Sequence, residues 1–514
     1  MRAIDYKTYL PALLSGVALM LSFPMFGYSW LAFIALAPLL VALWKATGWR
    51  AVRMGMFAGL VFFFGTLYWV YHSIYFYGGV GLSLSLGAAL MLSLVLSMYV
   101  AAFCYFYSRT LAHTSLPASF IAPLYWVMLE FLRNYLFTGF PWNLLAYSQY
   151  EFLHLIQVAD ITGVYGVSFI VVAINGVIAD VFISRMRRMD MPLFTLAPTF
   201  AGYAVVFVLV ISSLIYGSVR LGENREGKPA RISIIQGNIE QDVKWNPMYQ
   251  RMVIDTYSDL TRKAVAESPD PLDLIVWPET SMPFLYSPDH GRRQALLDLQ
   301  MEVGTPMLVG VMDRRVDKDE NVEFYTNSAA LINKGQTVSL YDKTHLVPFG
   351  EYVPLRGLLF FINKLVPDLG EYRPGKELKR SSISQGEFGT LICYEIIFPN
   401  LVRRYFKDGG DFIINITNDA WFGRTPGPFQ HFSMAVFRAI ENRKPVIRAA
   451  NTGISGFITS DGKITSTTRL FERKILTEDI LTDPTRTFYS RFGDMFVYLC
   501  TILTIIILID FRRK

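Results

Sequence analysis

Gly389-Thr390-Leu391-Ile392-Cys393-Tyr394-Glu395 is an apolar run of strand length that closes on a thiol, a phenol and a carboxylate. Reading Gly389–Cys393 as a buried strand brings similar runs into view on both sides. Arg231–Gln236, Leu274–Trp277, Pro306–Met312, Asn327–Ile332, Phe412–Ile416, Val446–Ala450 and Gly456–Thr459 are short and β-rich, and many end in polar residues. Amphipathic stretches at Met248–Glu267, Gly291–Glu302 and Pro428–Asn442 fall between several of them. Buried strands alternating with helices predict an α/β domain whose sheets are covered by helices. The sequence contains no internal repeat and no low-complexity linker.

The rest of the chain differs sharply in composition. Of 514 residues, 52% are hydrophobic and 18% charged, against roughly 25% charged in an ordinary soluble domain. The apolar excess lies in the first 217 residues and the last 25 or so. A helix needs roughly 20 apolar residues to cross a hydrocarbon core, which predicts eight spans near 8–25, 28–44, 54–72, 80–107, 116–136, 164–183, 193–216 and 492–511. The expected division is a seven-helix membrane domain at 1–219, an outward α/β domain at 220–489, and an eighth helix with a cytoplasmic tail at 490–514. Orientation follows from loop charge, because cytoplasmic loops retain Lys and Arg. Lys45, Arg50, Arg53, Arg109, Arg185, Arg187, Arg188, Arg512 and Arg513 all fall on one side, and Arg133 is the exception. An uncleaved anchor fits the first span better than a removed signal peptide. The formal charge of +6 is scattered without a basic stripe, which disfavours nucleic acid as a partner.

Three cysteines are present, and Cys104 and Cys500 fall inside spans four and eight. Cys393 is then the one thiol of the outward domain, either buried and inert or kept for reactivity. Reactive side chains end three segments: Trp277-Pro278-Glu279-Thr280, Tyr341-Asp342-Lys343-Thr344-His345 and Leu391-Ile392-Cys393-Tyr394-Glu395. Acyl transfer through a thiol needs a nucleophile, a base for its proton and a donor for the charge developing on the carbonyl oxygen. Cys393, Glu279 and Lys343 can fill those roles in that order. His345 and His431 are too isolated to suggest a metal site. Tyr77-Gly78-Gly79-Val80-Gly81 lacks a preceding strand and reads as a membrane-surface turn. Glu130 and Asp180, near span ends, read as interfacial residues rather than a proton path. Leu355–Gly370 is too short to cross a bilayer, and reads either as a core helix or as an apolar lid at the membrane surface.

The order Glu279, Lys343, Cys393 resembles the nitrilase superfamily, whose αββα sandwich carries a Glu-Lys-Cys triad at strand ends. The likeness continues through His345-Leu346-Val347-Pro348-Phe349-Gly350-Glu351 and Asn415-Ile416-Thr417-Asn418-Asp419-Ala420-Trp421-Phe422-Gly423. Such a domain between transmembrane helices seven and eight of an eight-helix membrane domain resembles the apolipoprotein N-acyltransferases of bacterial envelopes. Phe140-Pro141-Trp142, Tyr147-Ser148-Gln149, Gln236-Gly237-Asn238, Lys244-Trp245 and Asn451-Thr452-Gly453 match that family as well. The resemblance implies transfer of a phospholipid acyl chain, through a Cys393 thioester, to the amine of a diacylated apolipoprotein. It further implies no cofactor, a monomer, and residence in the inner membrane with the catalytic domain in the periplasm. Glu351 would support Lys343, and the Tyr394 N–H would join the oxyanion hole. Tyr394, Glu395 and Trp245 match functional positions, where a packing role remains open. Phe360, Phe361 and Trp421 would help form an apolar entrance for acyl chains. The competing readings are a membrane-tethered hydrolase, in which water resolves the thioester, and a ligand-binding membrane protein without catalysis.

Overall fold

The computed structural model describes residues 6–188, 197–244, 248–286, 290–317, 321–353 and 371–512. Trp245, Phe360, Phe361 and the whole Leu355–Gly370 arm lie outside the described residues. The chain forms two compact units. The first comprises Met1–Tyr71, Gly81–Glu223 and Phe492–Lys514, and the second His72–Val80 with Asn224–Arg491.

The first unit is helical. Its helices Trp49–Leu67, Leu82–His113, Val164–Met186 and Phe200–Leu221 are long and apolar enough to cross a membrane, which makes this a membrane protein. Tyr9–Ser22, Ser29–Leu43 and Met495–Ile509 are shorter apolar helices, and Ala118–Tyr135 is a further long helix. The expected span 28–44 is broken into Ser29–Leu31, Ala32–Ala35 and Ala37–Leu43. Pro38 follows the break; it has no N–H and its ring clashes with the preceding turn. Asn175 satisfies the backbone so exposed, accepting from the Leu36 and Ala37 N–H groups at 2.8 and 3.1 Å and donating to the Ala32 carbonyl at 2.8 Å. In an apolar medium those groups have no water to turn to.

Glu130 and Asp180 are both buried within the protein. The Asp180 carboxylate accepts from the Ala118 and Ser119 N–H groups at 2.7 and 2.9 Å and so caps the helix Ala118–Tyr135. Glu130 accepts from the Leu145 N–H at 2.7 Å and the Trp126 indole at 2.9 Å. The segment 141–149 is buried throughout, with Trp142 packed on Trp69 at 4.9 Å.

The second unit contains twelve described strands. The first five are β1 (Pro229–Gln236), β2 (Leu274–Val276), β3 (Met307–Asp317), β4 (Val322–Asn333) and β5 (Gln336–Asp342). There follow β6 (Arg380–Ile383), β7 (Gly386–Ile392), β8 (Phe412–Thr417), β9 (Val446–Ala450), β10 (Gly456–Ile458), β11 (Ile464–Thr467) and β12 (Lys474–Leu481). They form two six-stranded sheets, ordered β12-β1-β2-β3-β4-β5 and β6-β7-β8-β9-β10-β11. In each, three parallel strands (β1, β2, β3 and β7, β8, β9) are flanked by antiparallel ones. The two sheets therefore share one pattern of strand directions, although β12 joins the first sheet from the far end of the domain whereas β6 precedes its neighbour.

The sheets face each other. Gln236, at the end of β1, accepts hydrogen bonds from Ser455 and Thr468 beside the second sheet, and Ser381 of β6 donates to Ser339 of β5 at 2.9 Å. Helices Gln250–Glu267 and His290–Val303 bury Val253, Tyr257, Leu296 and Leu299 against Ile235, Ile275, Trp277 and Val309 of the first sheet. Helices Pro399–Phe406 and Gly427–Asn442 pack on the second. This is a nitrilase-like α/β domain. All eight expected strands are present, and β5, β6, β11 and β12 are additional to them. Those four have mixed exposure and polar residues, so they carry no continuous apolar run.

Candidate active site

Glu279 stands just beyond the end of β2. The turn carrying it passes close to Gly310 of β3, where an added Cβ would lie 2.2 Å from the Pro278 carbonyl oxygen. Only glycine leaves that room. The carboxylate is buried and its orientation is held from two sides. Asn327 Nδ2, from β4, donates to Oε1 at 2.7 Å, and the Asn418 backbone N–H, just past β8, donates to Oε2 at 2.8 Å. The second bond ties the first sheet's acid to the second sheet.

Lys343 follows β5 and is 1% exposed. The residue before it is fixed by Arg315, which forks onto both Asp342 oxygens at 2.7 and 2.9 Å. Lys343 Nζ donates to Glu351 Oε1 at 2.9 Å and lies 3.6 Å from Glu279 Oε1. Burial opposes its charge most strongly, but Glu351, Glu279 and Cys393 together outweigh burial and raise the pKa above the ordinary lysine value. The ammonium is therefore permanent. Glu351 Oε2 accepts from the Val347 N–H at 2.7 Å, and Asn327 Nδ2 also reaches Glu351 Oε1 at 3.1 Å. One asparagine thus bridges both carboxylates.

Cys393 is expected as the last residue of its strand; β7 instead ends at Ile392, and Cys393 turns out of the sheet at φ +50°. Left-handed backbone at a non-glycine residue costs about 1–3 kcal/mol, and such strain clusters at functional sites. The thiol is free of any disulfide and buried. Burial first, then the Glu279 charge, push its pKa above the usual thiol range; Lys343 and a hydrogen bond with Thr417 act the other way. At rest the sulfur is protonated, so ionisation must be coupled to a base nearby. The charges of Glu279 and Lys343 act on the sulfur in opposite directions. The structure thus brings Glu279, Lys343, Glu351 and Cys393 into one cluster.

Glu395 is fully buried. Its Oε1 accepts from the Tyr341 hydroxyl, the Thr344 N–H, the Thr344 hydroxyl and the His345 N–H at 2.7, 2.7, 2.8 and 3.1 Å. Its Oε2 accepts from the Ile392 N–H at 2.8 Å. It therefore pins the Lys343 turn to Ile392, the residue preceding Cys393. Burial raises its pKa against these bonds. The Tyr394 ring packs on Phe398 and His345, with centroids at 5.0 and 5.9 Å. Burial and then Lys343 lower the His345 pKa to about 4.

Trp421 lies on the turn Asp419–Phe422, which the distant segment His72–Val80 clasps. The Trp421 carbonyl accepts from His72 Nδ1 at 3.2 Å and Ser73 Oγ at 2.8 Å, and the Tyr77 hydroxyl donates to the Ala420 carbonyl at 3.1 Å. The Tyr77 and Trp421 rings meet edge-on at 4.9 Å.

Several participants carry no warning in the sequence. Asn327 is the first residue of an expected strand, with nothing to mark it. Lys244 stands out in the sequence only for its place beside Trp245, yet it is 1% exposed and its Nζ donates to the Glu279 carbonyl at 3.2 Å. Burial lowers its pKa to about 8 against the pull of Glu279. His431 forms a buried pair with Asp419 at 3.0 Å, next to the Cys393 carbonyl. Among the described residues no cluster of His, Cys, Asp or Glu is arranged to hold a metal.

Comparison with known proteins bears on both units. Residues 15–177 match the apolipoprotein N-acyltransferase N-terminal domain, and residues 231–487 match the carbon-nitrogen hydrolase domain. The apolipoprotein N-acyltransferase of Geobacter metallireducens is 41% identical over 100% of this chain and 97% of its own length. That of Pasteurella multocida is 33% identical over 97% of this chain and 94% of its own. Among solved structures, the carbon-nitrogen hydrolase from Helicobacter pylori G27 is 16% identical, covering 49% of this chain and 89% of its own, at a TM-score of 0.39. With relatives above 30% identical matched over nearly their full length, and with both domain matches in this one chain, the chain belongs to the apolipoprotein N-acyltransferases.

Proposed function

We propose that the chain is an N-acyltransferase that moves an acyl group from a phospholipid to the N-terminal amine of a diacylglyceryl-cysteine on an apolipoprotein, completing lipoprotein maturation. The observation that carries this reading is the burial of a carboxylate, an ammonium and a thiol in one electrostatically coupled cluster within a membrane protein of this family. Glu279 takes the thiol proton as Cys393 attacks the ester carbonyl. Lys343 and the Tyr394 N–H receive the charge on the carbonyl oxygen, and collapse expels the lysophospholipid with the proton from Glu279. The lipoprotein amine then attacks the thioester. Glu279 takes the amine's proton and returns it to the departing sulfur, leaving an amide. Losing one oxyanion donor costs about 3–4 kcal/mol of barrier, so Lys343 is indispensable on this course. Glu351 and Asn327 hold Lys343 and Glu279 in register.

The membrane part, 1–219 with 490–514, is read as eight spans, and 220–489 as the catalytic domain on the periplasmic side of a bacterial inner membrane. The loop charges support that orientation. Both substrates are lipid-anchored, which explains a tethered domain. Trp245, Phe360, Phe361 and Trp421 would line the way in for acyl chains, and the chain would act as a monomer without a cofactor.

The test is mass spectrometry of the detergent-solubilised enzyme after exposure to phosphatidylethanolamine vesicles. The expected result is a hydroxylamine-sensitive acyl adduct on Cys393, absent from Cys393→Ala. Phospholipid turnover by Cys393→Ala, or no adduct on the unsubstituted enzyme, would refute the thioester course.

A further inference from the structure

Beneath the nucleophile turn lies a buried polar chain that the reaction course leaves unused. His431, on the helix Gly427–Asn442, Asp419 and Arg448 of β9 are each at most 1% exposed. His431 Nε2 is 3.2 Å from the Cys393 carbonyl oxygen. Its Nδ1 lies 3.0 Å from Asp419 Oδ1 and 2.9 Å from Arg448 Nη2, and that same Nη2 donates to Asp419 Oδ2 at 2.8 Å. Thr417 Oγ1 donates to Asp419 Oδ1 at 3.0 Å. A carbonyl oxygen can only accept, so Nε2 must carry the ring proton. On the other side of the ring Asp419 and Arg448 bracket Nδ1 and hold the imidazole's orientation.

We propose that His431 is a positioning residue that presets the oxyanion hole by gripping the Cys393 carbonyl. In a planar trans peptide the C=O and N–H point in opposite directions. Holding the Cys393 oxygen toward His431 therefore turns the Tyr394 N–H away from it, to the side where the substrate oxygen gathers charge. The grip matters because Cys393 sits at φ +50°, a conformation the surroundings must enforce. This inference rests on the thioester reading of Cys393. As the sulfur–carbon bond forms, the carbonyl π pair moves onto oxygen and needs that N–H; as the ester C–O bond breaks, the alkoxide takes the proton held by Glu279.

Two rates on the full-length enzyme separate this role from a merely structural one. Alkylation of Cys393 by iodoacetamide displaces iodide at a saturated carbon and builds no oxyanion, whereas thioester formation from phosphatidylethanolamine does. His431→Leu should slow thioester formation about 100-fold and leave alkylation near its original rate. His431→Asn, whose amide reaches only the Nδ1 position, should behave like His431→Leu. His431→Gln, whose amide reaches the Nε2 position, should recover most of the loss. A parallel fall of both rates, undiminished thioester formation in His431→Leu, or His431→Gln no better than His431→Asn would overturn the proposal. Absence of any thioester on the unsubstituted enzyme, with alkylation intact, would instead overturn the reading beneath it.

Discussion

Asn327 shows how much of the site's geometry hangs on one neutral side chain. Its single amide nitrogen serves Glu279 at 2.7 Å and Glu351 at 3.1 Å, keeping two carboxylates apart and aimed. Asn327→Leu removes both bonds, and at about 1–3 kcal/mol for such losses should slow thioester formation by about 10- to 100-fold. A rate unchanged in single-turnover measurements would show that Glu279 is held by other means. His345 gives a prediction in pH. Its pKa falls from 6.5 to about 4 in the fold, so between those values the unfolded chain binds more protons than the folded one. Stability should decline as pH drops from 6.5 to 4 and level off below. Thermal unfolding of His345→Phe should lose that part of the slope; an identical slope would assign it to other groups. At this scale the sequence is eloquent about reactive groups and silent about their holders. Glu279, Lys343, Glu351 and Cys393 sit in recognisable motifs, but Asn327 and His431 act through partners 48 and 38 residues away, which no local pattern announces.

Among the elements, strands buried on both faces are legible because apolar residues dominate them; β8 is buried at every position, and β7 from Phe388 to Ile392. The strand β5 alternates polar and apolar residues in a pattern of mixed exposure and escapes that reading, although Lys343 hangs from its end. The turn after β7 differs from expectation by one residue: Cys393 belongs to the turn, and it is the turn that frees the sulfur from the sheet. Glu395 connects these two elements. Its five acceptor contacts all point to N–H or O–H donors on the Lys343 turn and on Ile392. In Glu395→Gln the amide NH2 must face at least one of those donors, with an expected loss of about 1–3 kcal/mol of stability and a lower unfolding temperature. Activity should fall along with it. Lost activity at an unchanged unfolding temperature would give Glu395 a direct part in the chemistry.

The molecule as a whole divides into a membrane unit and a nitrilase-like unit, and composition alone makes that division visible. The break at Pro38 is hidden, because hydropathy averages across it; so is the burial of Asp180 and Glu130, whose partners are backbone groups of other segments. The shared pattern of strand directions in the two sheets likewise leaves no trace in residue identity, since packing constrains apolar character and not a particular side chain. What distinguishes an acyltransferase from a hydrolase at this scale is where the acyl group goes once it is on sulfur. The direct measurement is a chase: the enzyme is loaded with a labelled acyl chain, the donor is removed, and a diacylated lipopeptide is added. We expect the label to leave Cys393 as an amide on the lipopeptide amine, at a rate that depends on lipopeptide concentration. Release as free fatty acid, at the same rate with or without lipopeptide, would contradict the account.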